Sequence, residues 1–249
     1  MRKSLAAIVA VPTVLVMATV AFAQNPAPTI DVTATVSPSK AGTKKKPKSE
    51  KVNLLIVNSK ESKTSASKIQ ITFPATLKLS TKGLKTCKVS TLDSQGKAAC
   101  PTAARAGVGT AEALVNPSSA NPAPLKFNVT TYVAGNNLLA FYLEQQGTDS
   151  GVQQALPAKI TKAGSGQKLT IRIPENLQQP APGVYSALQQ IKNSLGLKSG
   201  KNALVKSIGC PKAREHQIGV KISYVPNPAP PASSSAKSAD GATCSGKAP

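Results

Sequence analysis

Tryptophan is missing from the chain, and histidine occurs once, at His216. A hydroxyl or thiol nucleophile needs a base held by a third group, and no GxSxG-type motif accompanies this imidazole. At an expected strand start, beside Glu215 and near Arg214, His216 reads as a surface histidine at a loop edge rather than a general base. Acids are scarce too, ten against 31 basic residues, and none falls in the paired arrangement a glycosidase sets across one bond. Phe73, Phe127, Phe141 and Tyr224 fit strand cores better than an exposed sugar-binding face. Closely spaced cysteine pairs of the CxxC kind are also absent, which argues against a zinc site. No catalytic residue, metal ligand or cofactor is expected, and a non-enzymatic protein is the preferred reading over a secreted hydrolase with an unrecognised site.

What is present begins with an export signal. Arg2 and Lys3 form a positive start, an apolar run extends from Leu5 to Val20, and Ala21-Phe22-Ala23 supplies small residues before Gln24; this is the pattern of a signal peptide over 1–23. No later stretch is long and apolar enough to span a bilayer. The expected location is secreted or extracellular, with cell-surface association. In that compartment Cys87, Cys100, Cys210 and Cys244 read as two disulfides, for which three connectivities exist. Pairing of neighbours, Cys87 with Cys100 and Cys210 with Cys244, is preferred because each closes a local loop.

Apolar and polar residues alternate with period 2 over Ile30 to Val36, Lys51 to Val57, Lys68 to Phe73, Leu125 to Val133, Leu138 to Leu143, Lys168 to Ile173 and Gln217 to Val225. That is the signature of half-buried strands. Weaker strand patterns occur at Gly107 to Val115 and Ala203 to Val205. Val184 to Leu197 fits either a helix or a strand, and Asn193, Ser194 and Gly196 tip it toward strand. Gly135-Asn136-Asn137 and Gly164-Ser165-Gly166 mark turns. Gly107-Val108-Gly109 lacks the third glycine, the Lys-Ser/Thr pair and the helix of a phosphate loop, so it reads as a strand where glycine allows close packing or a bulge. The expected fold is all-β: an antiparallel β-sandwich, Ig-like or jelly-roll-like, with two disulfides. One domain would cover 24–225. A solvated lysine-rich loop lies near 37–50, and a Pro/Ala/Ser-rich flexible tail over 226–249 is tethered at Cys244.

Phe73-Pro74-Ala75-Thr76-Leu77, then Cys87, Leu92, Gly96 and Cys100-Pro101, followed by Gly107-Val108-Gly109-Thr110-Ala111, resembles a Cys, Cys-Pro, Gly-x-Gly-x-Ala pattern. It is the pattern of uncharacterised secreted β-rich proteins of high-GC Gram-positive (actinobacterial) bacteria. Leu204-Val205, Cys210-Pro211 and the strand to Tyr224 are similar to their second half. The resemblance implies an extracellular β-fold and supports the neighbour pairing of cysteines; it implies no activity. Where those proteins often carry Trp after the second Cys-Pro, this chain has His216.

Charge is the remaining functional signal. Without Arg2 and Lys3 the formal net charge falls from +21 to +19, and thirteen lysines lie between Lys40 and Lys88 against Glu50 and Glu61. Lys44, Lys45, Lys46, Lys48, Lys78, Lys82, Lys85 and Lys88 are therefore candidates for polyanion binding; the alternative is a solubilising surface with lysines guarding strand edges. Specific nucleic-acid readout is not expected, since the stretch lacks arginines and stacking aromatics. The expected role is a structural or adhesive module at the cell surface. Its partner would be an anionic cell-envelope polymer or another surface protein.

Overall fold

The computed structural model describes residues 28–59, 63–147, 151–225 and 234–248; segment 1–23, expected from its sequence to be a signal peptide, lies outside them. In chain order the elements are β1 (Ile30–Ser37), β2 (Lys48–Ser49), β3 (Lys51–Asn58), β4 (Ser65–Phe73), β5 (Leu77–Leu79), α1 (Val89–Gln95), β6 (Arg105–Val115), β7 (Ala123–Gly135) and β8 (Leu138–Gln145). There follow β9 (Gln153–Ala163), β10 (Gly166–Arg172), α2 (Glu175–Gln178), β11 (Ser186–Leu195), β12 (Lys198–Ser199), β13 (Asn202–Ala203), β14 (Val205–Ser207), β15 (Glu215–Val225) and β16 (Ser235–Thr243).

The all-β, antiparallel expectation holds, and both disulfides pair sequence neighbours, Cys87 with Cys100 and Cys210 with Cys244. The structure refines the sandwich. Eleven strands form one sheet in the order β1-β3-β11-β6-β7-β8-β9-β10-β4-β15-β16, and it curls until β1 packs against β16. Every pairing within the order is antiparallel, so an odd number of strands brings the two edges together running the same way. A regular antiparallel ladder is therefore unavailable at the seam. Instead, the Ala34 amide donates to Asp240 Oδ2 at 2.7 Å, and Lys40 and Ser245 form a parallel bridge just beyond the strands. This covers edges that would otherwise be open to aggregation.

Period-2 patterning sets the two faces of this wall. In β3, Val52, Leu54, Ile56 and Asn58 point inward and are buried, while Lys51 is exposed; in β15 the inward set is His216, Ile218, Val220, Ile222 and Tyr224. Lys159, Lys192 and Lys237 are exposed on the outer wall, so apolar groups face in and charges face out, the reverse of a lipid-facing barrel wall. Gly107 and Gly109 lie where a Cβ would run into the Ser194 and Lys192 carbonyls of β11, and the register shifts between Arg105 and Gly107. Close packing and a bulge are what their glycines allow.

The registers give the barrel a base and a rim. At the base lie the start of β3 and the ends of β1, β4 and β16; at the rim lie α2 and the start of β11. A small sheet in the order β2-β14-β5 crosses the base and sends Leu77, Leu79 and Val205 into the core. Outside the wall, the segment clamped by Cys87–Cys100 lays Leu92 of α1 against Tyr132, Ala140 and Tyr142, and Asp93 accepts from the Ala155 amide at 2.8 Å.

Three sequence expectations are corrected. The flexible tail does not extend through 235–243: Ser235–Thr243 is the last strand of the sheet, held against β15 and by Cys244, while 226–233 is outside the described residues. The lysine-rich loop is not wholly solvated, because Ala41, Gly42 and Glu50 are buried. His216 is not a loop-edge surface group; it is fully buried.

Candidate functional site: the base of the barrel

Of the candidate lysines, Lys44, Lys45, Lys46, Lys48, Lys78 and Lys82 occupy the base because the segments that carry them close it. Lys44 and Lys45 sit in a tight turn in which Thr43 and Lys46 exchange backbone hydrogen bonds of 3.0 and 3.1 Å. With no larger apolar side chain to bury, this turn projects into solvent. Lys48 follows in β2 and Lys78 lies in β5. Lys82 occupies a second turn, closed by the Leu84 amide on the Thr81 carbonyl at 3.2 Å, with Gly83 at φ 72° in the left-handed region that glycine tolerates.

β14 gathers these pieces. It pairs with β2 on one side and β5 on the other, setting Lys206 opposite Lys78 and Ser207 opposite Lys48. Asn202 Nδ2 donates to the Gly83 carbonyl at 3.1 Å, which draws the Lys82 turn beside the β12–β13 hairpin and its Lys198 and Lys201. Lys46, Lys82, Lys85 and Lys88 are exposed. Lys85 and Lys88 lead away toward α1 on the outer wall and do not join the small sheet. Lys198, Lys201 and Lys206 escaped the sequence reading, since a strand as short as Val205–Ser207 has almost no alternation to betray it.

Acids do not neutralise this end. The ion pair found is Lys97 with Glu144 at 2.8 Å, and among the described residues none of the base lysines has one. Glu50 stands next to β2, but its carboxyl is buried without a hydrogen-bond partner of good geometry. Burial pushes its pKa up, with the Ser207 hydroxyl and the Lys48 charge pulling weakly the other way.

The base also holds the imidazole. His216 Nδ1 and the Thr76 hydroxyl share a 2.8 Å hydrogen bond, Nε2 has no partner, and burial pushes the ring's pKa down. A base that works on a substrate must reach it, and this ring is enclosed. The cavity inside the barrel is lined by neither His216 nor a pair of carboxylates. Among the described residues no three His, Cys, Asp or Glu side chains gather as a metal site, and no helix is long and apolar enough to cross a membrane.

Comparison with family models, curated proteins and solved structures finds no match to this chain.

Proposed function

We propose that this is an exported, non-enzymatic binding protein whose lysine-bearing base holds an anionic polymer of the cell envelope. The observation that carries the reading is the bridging position of β14, which puts Lys206 directly across the ladder from Lys78 and ties both to the strand of Lys48. Like charges set opposite one another destabilise a sheet. A solubilising surface needs charge but does not need it concentrated against that cost, whereas a polyanion offsets it on binding. Lysine suits the task, because a hydrated point charge on a flexible stem follows a repeating anion without demanding one geometry. Two disulfides are compatible with an extracellular setting, and the sequence pattern of 1–23 supports export.

The test is co-sedimentation of the full mature chain with polyphosphate-coated beads over a salt series. Binding at low salt that falls steeply as the screening length shortens to about 8 Å at physiological ionic strength supports the reading. No binding at low salt, or binding indifferent to salt, overturns it.

A further inference from the structure

A cavity of about 140 Å3 lies inside the barrel. Its walls are inward side chains such as Ile56, Ile69, Ile71, Phe127, Leu156 and Ile171, all buried. Eight strands enclose a space that side chains just fill; eleven strands enclose more. Water does not stably occupy such a site, because it needs two to four polar partners and these walls are carbon. Asn193 reaches the lining, but its amide is engaged with the Thr131 hydroxyl at 3.3 Å. Dry apolar cavities of on the order of 150 Å3 take up benzene, which sets the capacity here at roughly six carbons.

The shape selects among hydrocarbons. Along β11 the lining runs from Leu188 near the rim to Leu195 deeper in, on the order of 20 Å of strand. A volume this small drawn out over that length is narrow, and fits a chain better than a ring. Over the rim lies α2, held by Ser65 Oγ, whose one proton is shared between the Gln178 carbonyl at 3.0 Å and the Ser186 carbonyl at 2.7 Å, and by Asn176 Nδ2 on Gln154 Oε1 at 3.1 Å. Leu125, Val152, Ile173 and Leu177 are half-buried there and also line the cavity. Arg172, between the lining residues Ile171 and Ile173, alternates to the outer face and is exposed at the same end, across the β10–β4 ladder from Lys68; an acid headgroup would meet its charge only outside the mouth.

We propose that the barrel interior binds the alkyl chain of a fatty acid of about six to eight carbons, entering at the rim past α2. The cavity opens at the rim, away from the lysine-bearing base, and none of the base lysines lines it, so either reading can fail alone. The experiment is a titration of the full mature chain, methyl-labelled, with octanoate below its micelle concentration and, separately, with toluene. Octanoate should shift the methyls of Ile56, Ile69, Ile71 and Ile171, leave those of Leu77, Leu79 and Leu204 at the base in place, and bind at least tenfold more tightly than toluene. Leu188→Trp, which fills the cavity from its half-exposed rim, should weaken octanoate at least tenfold; if that variant does not fold, Ala113→Leu at a neighbouring lining position takes its place. The proposal is overturned if octanoate shifts nothing, if the shifts spread equally to the base, if toluene binds more tightly, or if a folded filled variant binds octanoate as well as the wild type.

Discussion

The Thr76 hydroxyl and Nδ1 of His216 are hydrogen-bonded at 2.8 Å within the buried base of the barrel. Burial lowers the pKa of this ring, so on acidification the unfolded chain takes up its proton before the folded one does. The contribution to stability is complete above the ordinary histidine value of 6.5 and is lost progressively as pH falls below it. Thermal unfolding between pH 8 and 5 should show that loss. His216→Ala should abolish it while lowering stability by about 2–4 kcal/mol, through the cavity left and the orphaned Thr76 hydroxyl. A cost below about 0.5 kcal/mol, typical of a surface site, would contradict the burial.

Glu50 titrates with the opposite sign. Its pKa is raised by burial, so the folded chain keeps a proton that the unfolded chain has released, and stability is lost as pH rises above the ordinary carboxylate value of 4.5 toward the raised one. Glu50→Gln keeps the shape without the charge. It should raise the melting temperature at pH 8 and leave it unchanged at pH 4; a lower melting temperature at pH 8 would mean that the carboxylate has a stabilising partner.

At the seam, Asp240 Oδ2 takes the Ala34 amide at 2.7 Å in place of a ladder partner. Asp240→Ala strands a half-buried donor and should cost about 1–3 kcal/mol. Hydrogen exchange of the Ala34 amide should rise in that variant while amides in β7 and β8, far from the seam, stay protected. Equal acceleration everywhere would argue against a local closure.

The Cys210–Cys244 bond closes a loop with a sequence separation of 34 and anchors the end of β16. Replacing both cysteines with serine should cost about 4 kcal/mol on loop-closure entropy, against about 3 for Cys87 and Cys100 with a separation of 13. Chemical denaturation of the two double variants gives the comparison, and the reverse order would contradict it.

Strands with strict alternation, such as those holding Ile218, Val220 and Ile222 or Leu54 and Ile56, were legible because period 2 with one buried face is a strong signal. β9 was hidden by Pro157, which ordinarily argues against an interior strand, and by the small side chains of Ala155 and Ala158. β16 sets Ala236, Ser238, Asp240 and Ala242 opposite the inward residues of β15 and has no larger apolar side chain, so its strand form comes from pairing with β15 and from Cys244 rather than from local preference. The two buried titratable groups were readable in principle: His216 is in phase with Ile218, and Glu50 with Val52, each one step before an apolar run. Polarity masked that phase. The lysines were plain in composition, but their convergence was not, because it depends on β14 joining segments far apart in the chain.

The most direct test of the polymer-binding account compares two variants of equal net charge. One carries Lys44, Lys45, Lys78 and Lys82 changed to Gln at the base; the other carries Lys126, Lys192, Lys221 and Lys237 changed to Gln on the wall. Both are assayed for binding to polyphosphate-coated beads at an ionic strength of about 0.1 M. The account predicts that the base variant loses most of its binding, at least tenfold, while the wall variant stays within about twofold of the wild type, because screening confines exposed charges to roughly 10 Å at 0.1 M salt. Equal loss in both variants would show that net charge alone governs association, and would contradict a binding site at the base.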